Sequence, residues 1–238
     1  WPKRYVTTFQ KFIYDRFSVL FGFKKDPYDN FKWIINRQKI CKTKFNVFFL
    51  IGDYTTFDKN ISFSNNKFKS LIKSVADYAK IGFKPSYFSL KNDEKRKKEK
   101  LRLEGIINTP IVFSRQHFLR LIIPDTYQNL IDLDIQEDYT MGYAKKVGFR
   151  ASTCTPFYFY DLDFEIKTPL KLFPFALMDT ALKNSMELSN KESLQKIIDL
   201  KNEVQKVDGT FISIFHNETL SENEKWKGWS KIYEQMLR

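Results

Sequence analysis

Apolar runs that stop at a polar residue, each followed by an amphipathic stretch, recur along this 238-residue chain. "KFNVFFLIGDY" (44–54) is β-rich and ends in Gly52 and Asp53, the pattern of a buried strand running into a loop. "NKFKSLIKSVADYAKIG" follows and sets Phe68, Leu71, Ile72, Val75, Ala76 and Ala79 on one helical stripe, with Gly82 as its stop. "FKPSY" (83–87) predicts a short strand, because Pro85 cannot continue a central ladder. A solvated helix over 92–104, a β-rich run around Ile111–Phe113 and a short helix over 125–133 come next. "IQEDYTMGY", "GFRASTCTPFYFYD" and "LKLFPFALMD" each predict a strand entering a loop. Ser189 and Glu192 have capping-box spacing before a helix carrying Leu194, Ile197, Ile198 and Val204. Gly209 ends that helix, "TFISIFHNE" is the last strand, and a final helix region carries Trp226, Trp229 and Tyr233.

Strand–helix alternation over this length implies an α/β fold with a parallel sheet, open or closed into a barrel. In either form chemistry belongs at the C-terminal strand ends. The polar residues that break the apolar pattern fall there: Asp53, Lys84, His117, Asp138, Arg150, Asp179 and His216. His216 either satisfies a loop carbonyl or acts as a general acid, with Asn217 and Glu218 as neighbours able to fix its tautomer. His117, near Arg115, admits the same two roles, and Arg150 is either a surface charge or the opening of a polar turn. Ser152, Thr153 and Cys154 lack a G-x-S-x-G elbow and an adjacent base, which argues against a nucleophile there.

The 24 Phe, 12 Tyr and 4 Trp supply a large core and exclude a disordered chain. A formal charge of +12 favours anionic partners. Even the densest basic run, residues 91–105, is diluted by Asp93, Glu94, Glu99 and Glu104, so no specific nucleic-acid partner is expected. Cys41 and Cys154 are too few for a disulfide framework. No uncharged apolar run approaches the roughly 18 residues of a membrane span. The two cysteines and the absence of a visible export signal point to the cytoplasm, while a start at Trp1 suggests that upstream residues are missing.

"EDYTMGYAKKVGFRASTCTPFYFYDLD", "KLFPFALMD" and "GTFISIFHNETLSENEKWKGW" together resemble the polysaccharide deacetylase-like proteins of bacterial surface-polysaccharide loci. These belong to the NodB-homology group, carbohydrate esterase family 4. "FFLIGDY", "GFKPSY" and "SRQHFL" carry the resemblance back to about residue 44. It implies a distorted (β/α) barrel, complete or incomplete, over 44–238, preceded in the same domain by a helical segment over 1–43 that follows a missing first strand. It also implies hydrolysis of N-acetyl groups on a sugar or polysaccharide by a divalent metal, zinc in most members, held by an aspartate and two histidines. The late histidine that protonates the leaving amine maps onto His216, and an arginine that orients the catalytic aspartate maps onto Arg150.

Two departures stand out. The paired aspartates of the family lie on a strand before the segment resembling "WPKRYVTTF", and the metal-ligand histidine of Gly-Ile-His-Pro-Ser-Tyr is here Lys84. His117 then remains as the protein ligand in view. An ammonium has no lone pair, and removing its proton at pH 7 from a reference pKa of ~10.4 costs roughly 4.6 kcal/mol. The expected pocket comprises Lys84, Tyr87, Asp138, Tyr139, Phe157 and Asp179, the aromatics being sugar-stacking surfaces or core. Two expectations follow: a metal-dependent deacetylase whose aspartate comes from upstream, or an impaired relative that binds carbohydrate without hydrolysing it.

Overall fold

The computed structural model describes residues 17–19, 21, 23 and 25–238. The part of the expected N-terminal helical segment before residue 17 lies outside them. Its described remainder holds α1 (Phe31–Cys41), which packs on the C-terminal helix through Gln38 to the Tyr233 hydroxyl and through Arg37 to Glu234.

From there the alternation is β1 (Asn46–Leu50), α2 (Asn66–Ala76), β2 (Lys80–Lys84), α3 (Asp93–Ile107), β3 (Phe113–Ser114), α4 (Asp125–Ile131) and β4 (Glu137–Asp138). β5 (Phe157–Asp161), β6 (Ile166–Leu172), β7 (Leu177–Met178), α5 (Asn190–Lys206), β8 (Ser213–Ile214) and α6 (Trp229–Leu237) complete it. β1, β2, β3, β4 and β6 lie side by side in that order, all parallel, and β5 pairs antiparallel on the outer edge of β6. β7 and β8 form a separate parallel pair. One apolar core backs the larger sheet, built around Ile51, Ile72, Phe83, Leu103, Tyr127 and Leu170. A second gathers Leu177, Leu182, Ile197, Trp226 and Trp229 between β7, α5 and α6.

Closure of the barrel is not found. Among the described residues β1 pairs only with β2 and β8 only with β7, and a cleft of about 1700 Å³ runs between these two edges, lined by Asn46 to Leu50 and Thr210 to His216. No strand among the described residues bridges it.

Gly82 lies within β2 rather than ending a helix. A Cβ there would sit 2.3 Å from the Phe48 ring, so the glycine is kept for close approach to β1. The β5–β6 hairpin turns at "DLDF", where the Asp161 carboxylate accepts the Asp163 amide at 3.0 Å in an Asx turn. α3 is not solvated all round: Arg96, Glu99, Lys100 and Leu103 are buried. Arg96 binds the carbonyls of Ser89 and Leu90 as well as Asp93, and Glu104 binds Lys100 and the Ile111 amide. These charges face inward because they tie down the loops flanking the helix. The Ser189–Glu192 capping box forms as its spacing predicts.

Candidate functional site

Two carboxylate–imidazole pairs stand at the C-terminal ends of the parallel strands. The Met178↔Ile214 register of β7 and β8 brings Asp179 beside the segment leading to His216. His216 Nδ1 donates to Asp179 Oδ1 at 2.8 Å, and the His216 amide donates to Oδ2 at 2.6 Å. The Thr180 amide and the Thr219 hydroxyl complete the shell of this fully buried carboxylate. Four donors satisfy this carboxylate without contact with water, and they fix the ring so that Nε2 is its remaining nitrogen.

The second pair is Asp58 with His117, whose Nδ1 donates to Asp58 Oδ1 at 2.8 Å. Asp58 also accepts the Tyr87 amide and the Thr55 hydroxyl, each at 2.9 Å, and is likewise fully buried. Burial first, then the Lys84 charge, pushes the His117 pKa down to about 4 even though Asp58 raises it. His117 is therefore a neutral imidazole at pH 7.

Between the pairs lie two cations. Phe83↔Ser114 pairing sets Lys84, the last residue of β2, alongside Arg115, the first after β3. Burial and then Arg115 push the Lys84 pKa down to about 7, against the opposing pull of Asp58 and Asp179. Burial likewise lowers Arg115 to about 10, with Asp179 and Asp138 pulling it up. Asp138, at the end of β4, is pushed up to about 6 by burial despite donors from Ser114 and Thr140. Lys84, Arg115, Tyr139 and His216 all line the cleft between β1 and β8.

Of the residues singled out in the sequence, Lys84, His117, Asp138, Asp179 and His216 are brought to this one end of the sheet. Tyr139 is there too, stacked on Phe173 at 4.7 Å and bonded to Glu137. Tyr87 stacks on Phe57 at 4.0 Å, one residue from Asp58. Phe157 packs against the larger core. Arg150 stands exposed on a turn and makes no ion pair among the described residues, and the guanidinium in the cluster is Arg115. Asp53 is also exposed, paired with Arg102 at 2.8 Å. Asp58 went unnoticed in the sequence because it lies within a loop, eight residues past the end of β1. The signal available was "TTFD", where Thr55 bonds the Asp58 carboxylate and amide.

The donors present do not make a metal site by themselves. Among the described residues no group of three or more His, Cys, Asp or Glu side chains could hold an ion. Lys84 puts an amine where the expected second imidazole would be, and its ammonium form repels a cation.

No family model matches the chain, and no curated protein matches it. Among solved structures, it is similar to a crystal structure of a proposed polysaccharide deacetylase from Mycobacterium smegmatis. The TM-score is 0.63 at 12% identity, over 88% of this chain and 70% of the other. At that identity the likeness is one of fold: a mixed α/β architecture dominated by a parallel sheet.

Proposed function

We propose that the cleft receives the N-acyl group of an amino sugar within a polysaccharide. Lys84 and Arg115 face the acyl oxygen and His216 faces the amide nitrogen. The observation that carries this reading is that Lys84 and His216, 132 positions apart in the sequence, open onto one cleft. The deacetylase-like fold supports a carbohydrate ligand.

A carbonyl oxygen gains most from charge held in place before it arrives, and buried cations supply that at low local dielectric. His216, anchored by Asp179 at Nδ1, presents Nε2 as the acceptor for the amide N–H. Amide hydrolysis also needs an activated water, and Lys84 stands where the imidazole expected to help a metal supply one would be. Recognition of the acylated sugar is accordingly the first reading.

The anchored His216–Asp179 pair favours a second one, hydrolysis of the acetamide by a zinc-loaded protein that draws further carboxylates from outside the described residues. Titration of N-acetylated oligosaccharides, an acetate-release assay and elemental analysis separate the two. Recognition predicts saturable binding, no acetate and no stoichiometric zinc. Acetate release with one zinc per chain replaces it by the second reading. Absence of binding together with absence of acetate removes both.

A further inference from the structure

Beside the cleft, three loops present aromatic faces to solvent. Phe57 is 43% exposed, Phe88 49% and Phe118 55%, and Tyr87 lies among them. They follow β1, β2 and β3 respectively, so the rings occupy the same end of the sheet as the charged cluster. Phe57 stacks on Tyr87 at 4.0 Å, Phe118 stands edge-on to both, and Phe88 stands edge-on to Tyr87 at 5.2 Å.

These rings are not stray surface residues. Phe118 and Leu119 both have left-handed backbone, φ 58° and 54°, a conformation that strains a bulky side chain and persists only when its surroundings impose it. The turn lays the Phe118 ring 4.3 Å from that of His117. Asp58 ties the group together, because it follows Phe57 in the chain, binds the Tyr87 amide and holds His117. Cationic donors border the faces. Arg120 stacks on Tyr87 at 3.9 Å while bonding its carbonyl, and Lys95 lies 5.8 Å over Phe88.

Flat apolar faces rimmed by hydrogen-bond donors match a pyranose, which has a face of C–H groups and an edge of hydroxyls. We infer that Phe57, Phe88 and Phe118, backed by the Tyr87 ring that Phe57 and Arg120 sandwich, form a stacking ledge for a sugar unit adjacent to the one whose acyl group enters the cleft. The ligand is then an oligomer or polymer, not a monosaccharide. The inference rests on the carbohydrate reading above and deepens it.

Calorimetric titration of the full chain with N-acetylglucosamine and its β-1,4-linked tetramer tests this. The tetramer is expected to bind at least about fivefold more tightly than the monosaccharide, the gain of one aromatic contact. Phe118→Ala and Phe88→Ala should each remove most of that advantage while leaving the monosaccharide affinity unchanged. Both side chains are half exposed, so the fold tolerates their truncation, and circular dichroism verifies it. Tyr160→Ala, on the exposed face of β5, is the control and should change nothing. Equal affinity for the two sugars overturns the ledge and spares the cleft. Tetramer binding that Phe118→Ala weakens but Lys84→Met leaves untouched supports the ledge and overturns the cleft. Failure of both sugars to bind overturns both.

Discussion

Lys84 is the residue whose chemistry most separates this site from a metal centre. A free lysine holds its proton to high pH, but here burial and Arg115 bring its pKa to about 7, so the deprotonation cost expected from the sequence nearly vanishes. The same shift loads the fold with a penalty. Below about pH 7 the amine is charged in both folded and unfolded chains, and the folded chain bears the full desolvation cost. Between about 7 and 10.5 the unfolded chain binds more protons, so stability rises with pH across that window. Lys84→Met is therefore expected to stabilise the protein by about 1–3 kcal/mol at pH 7, with the gain shrinking towards pH 10. Denaturant melts at both pH values check it, and a gain independent of pH would show that the buried charge is not its source. In the same experiments Asp179→Asn should lose about 1–3 kcal/mol, because an amide group cannot accept from all four surrounding donors. Lys84, His117, Asp179 and His216 were legible in the sequence because each interrupts an apolar pattern at a strand end. Arg115 and Asp58 were not. One borders a chemically louder histidine, and the other sits in a loop whose path only tertiary contacts define.

At the scale of elements, periodicity found most strands and helices, but it placed at 83–87 a strand that runs over Lys80–Lys84 and gives way to a 3-10 turn at Tyr87–Ser89, and it mistook what some charges do. The dense basic run of α3 has the composition of a solvated surface, yet Arg96 and Glu99 are almost fully buried. Composition cannot reveal that Glu99 accepts both the amide and the hydroxyl of Ser86 at the end of β2. Gly82 was misplaced for a related reason. A glycine after a helical stripe reads as a stop, whereas here it makes room for the Phe48 ring, which also lines the cleft and carries the Arg115 guanidinium 4.8 Å above its face. Gly82→Ala should drive that ring towards the cleft, destabilise by about 1–3 kcal/mol and weaken sugar binding. Adding Phe48→Leu should recover part of the stability, and equilibrium unfolding of the single and double variants measures the coupling. The α5 cap, by contrast, was written plainly in the sequence. Ser189→Ala should cost about 1 kcal/mol in the same assay and leave binding untouched.

For the whole molecule the decisive feature is the opening between β1 and β8. Alternation along the chain signalled parallel strands but carries no information on whether the last meets the first, since closure depends on strand tilt and stagger. Among the described residues both bordering strands have ladder partners on one side alone, and the cleft between them is where Lys84, Arg115 and His216 emerge. The opening also sets a dynamic expectation. β2 is held on both sides, by β1 and β3, whereas among the described residues β8 is held only by β7. Native-state hydrogen exchange should therefore find the Phe83 region strongly protected and the β8 amides faster, through local opening rather than global unfolding. An N-acetylated oligosaccharide that seats in the cleft should slow the β8 amides selectively and leave β2 unchanged. Equal protection of β2 and β8 in the free chain would mean that the edge is already covered, and the cleft could then not be the entry for a sugar.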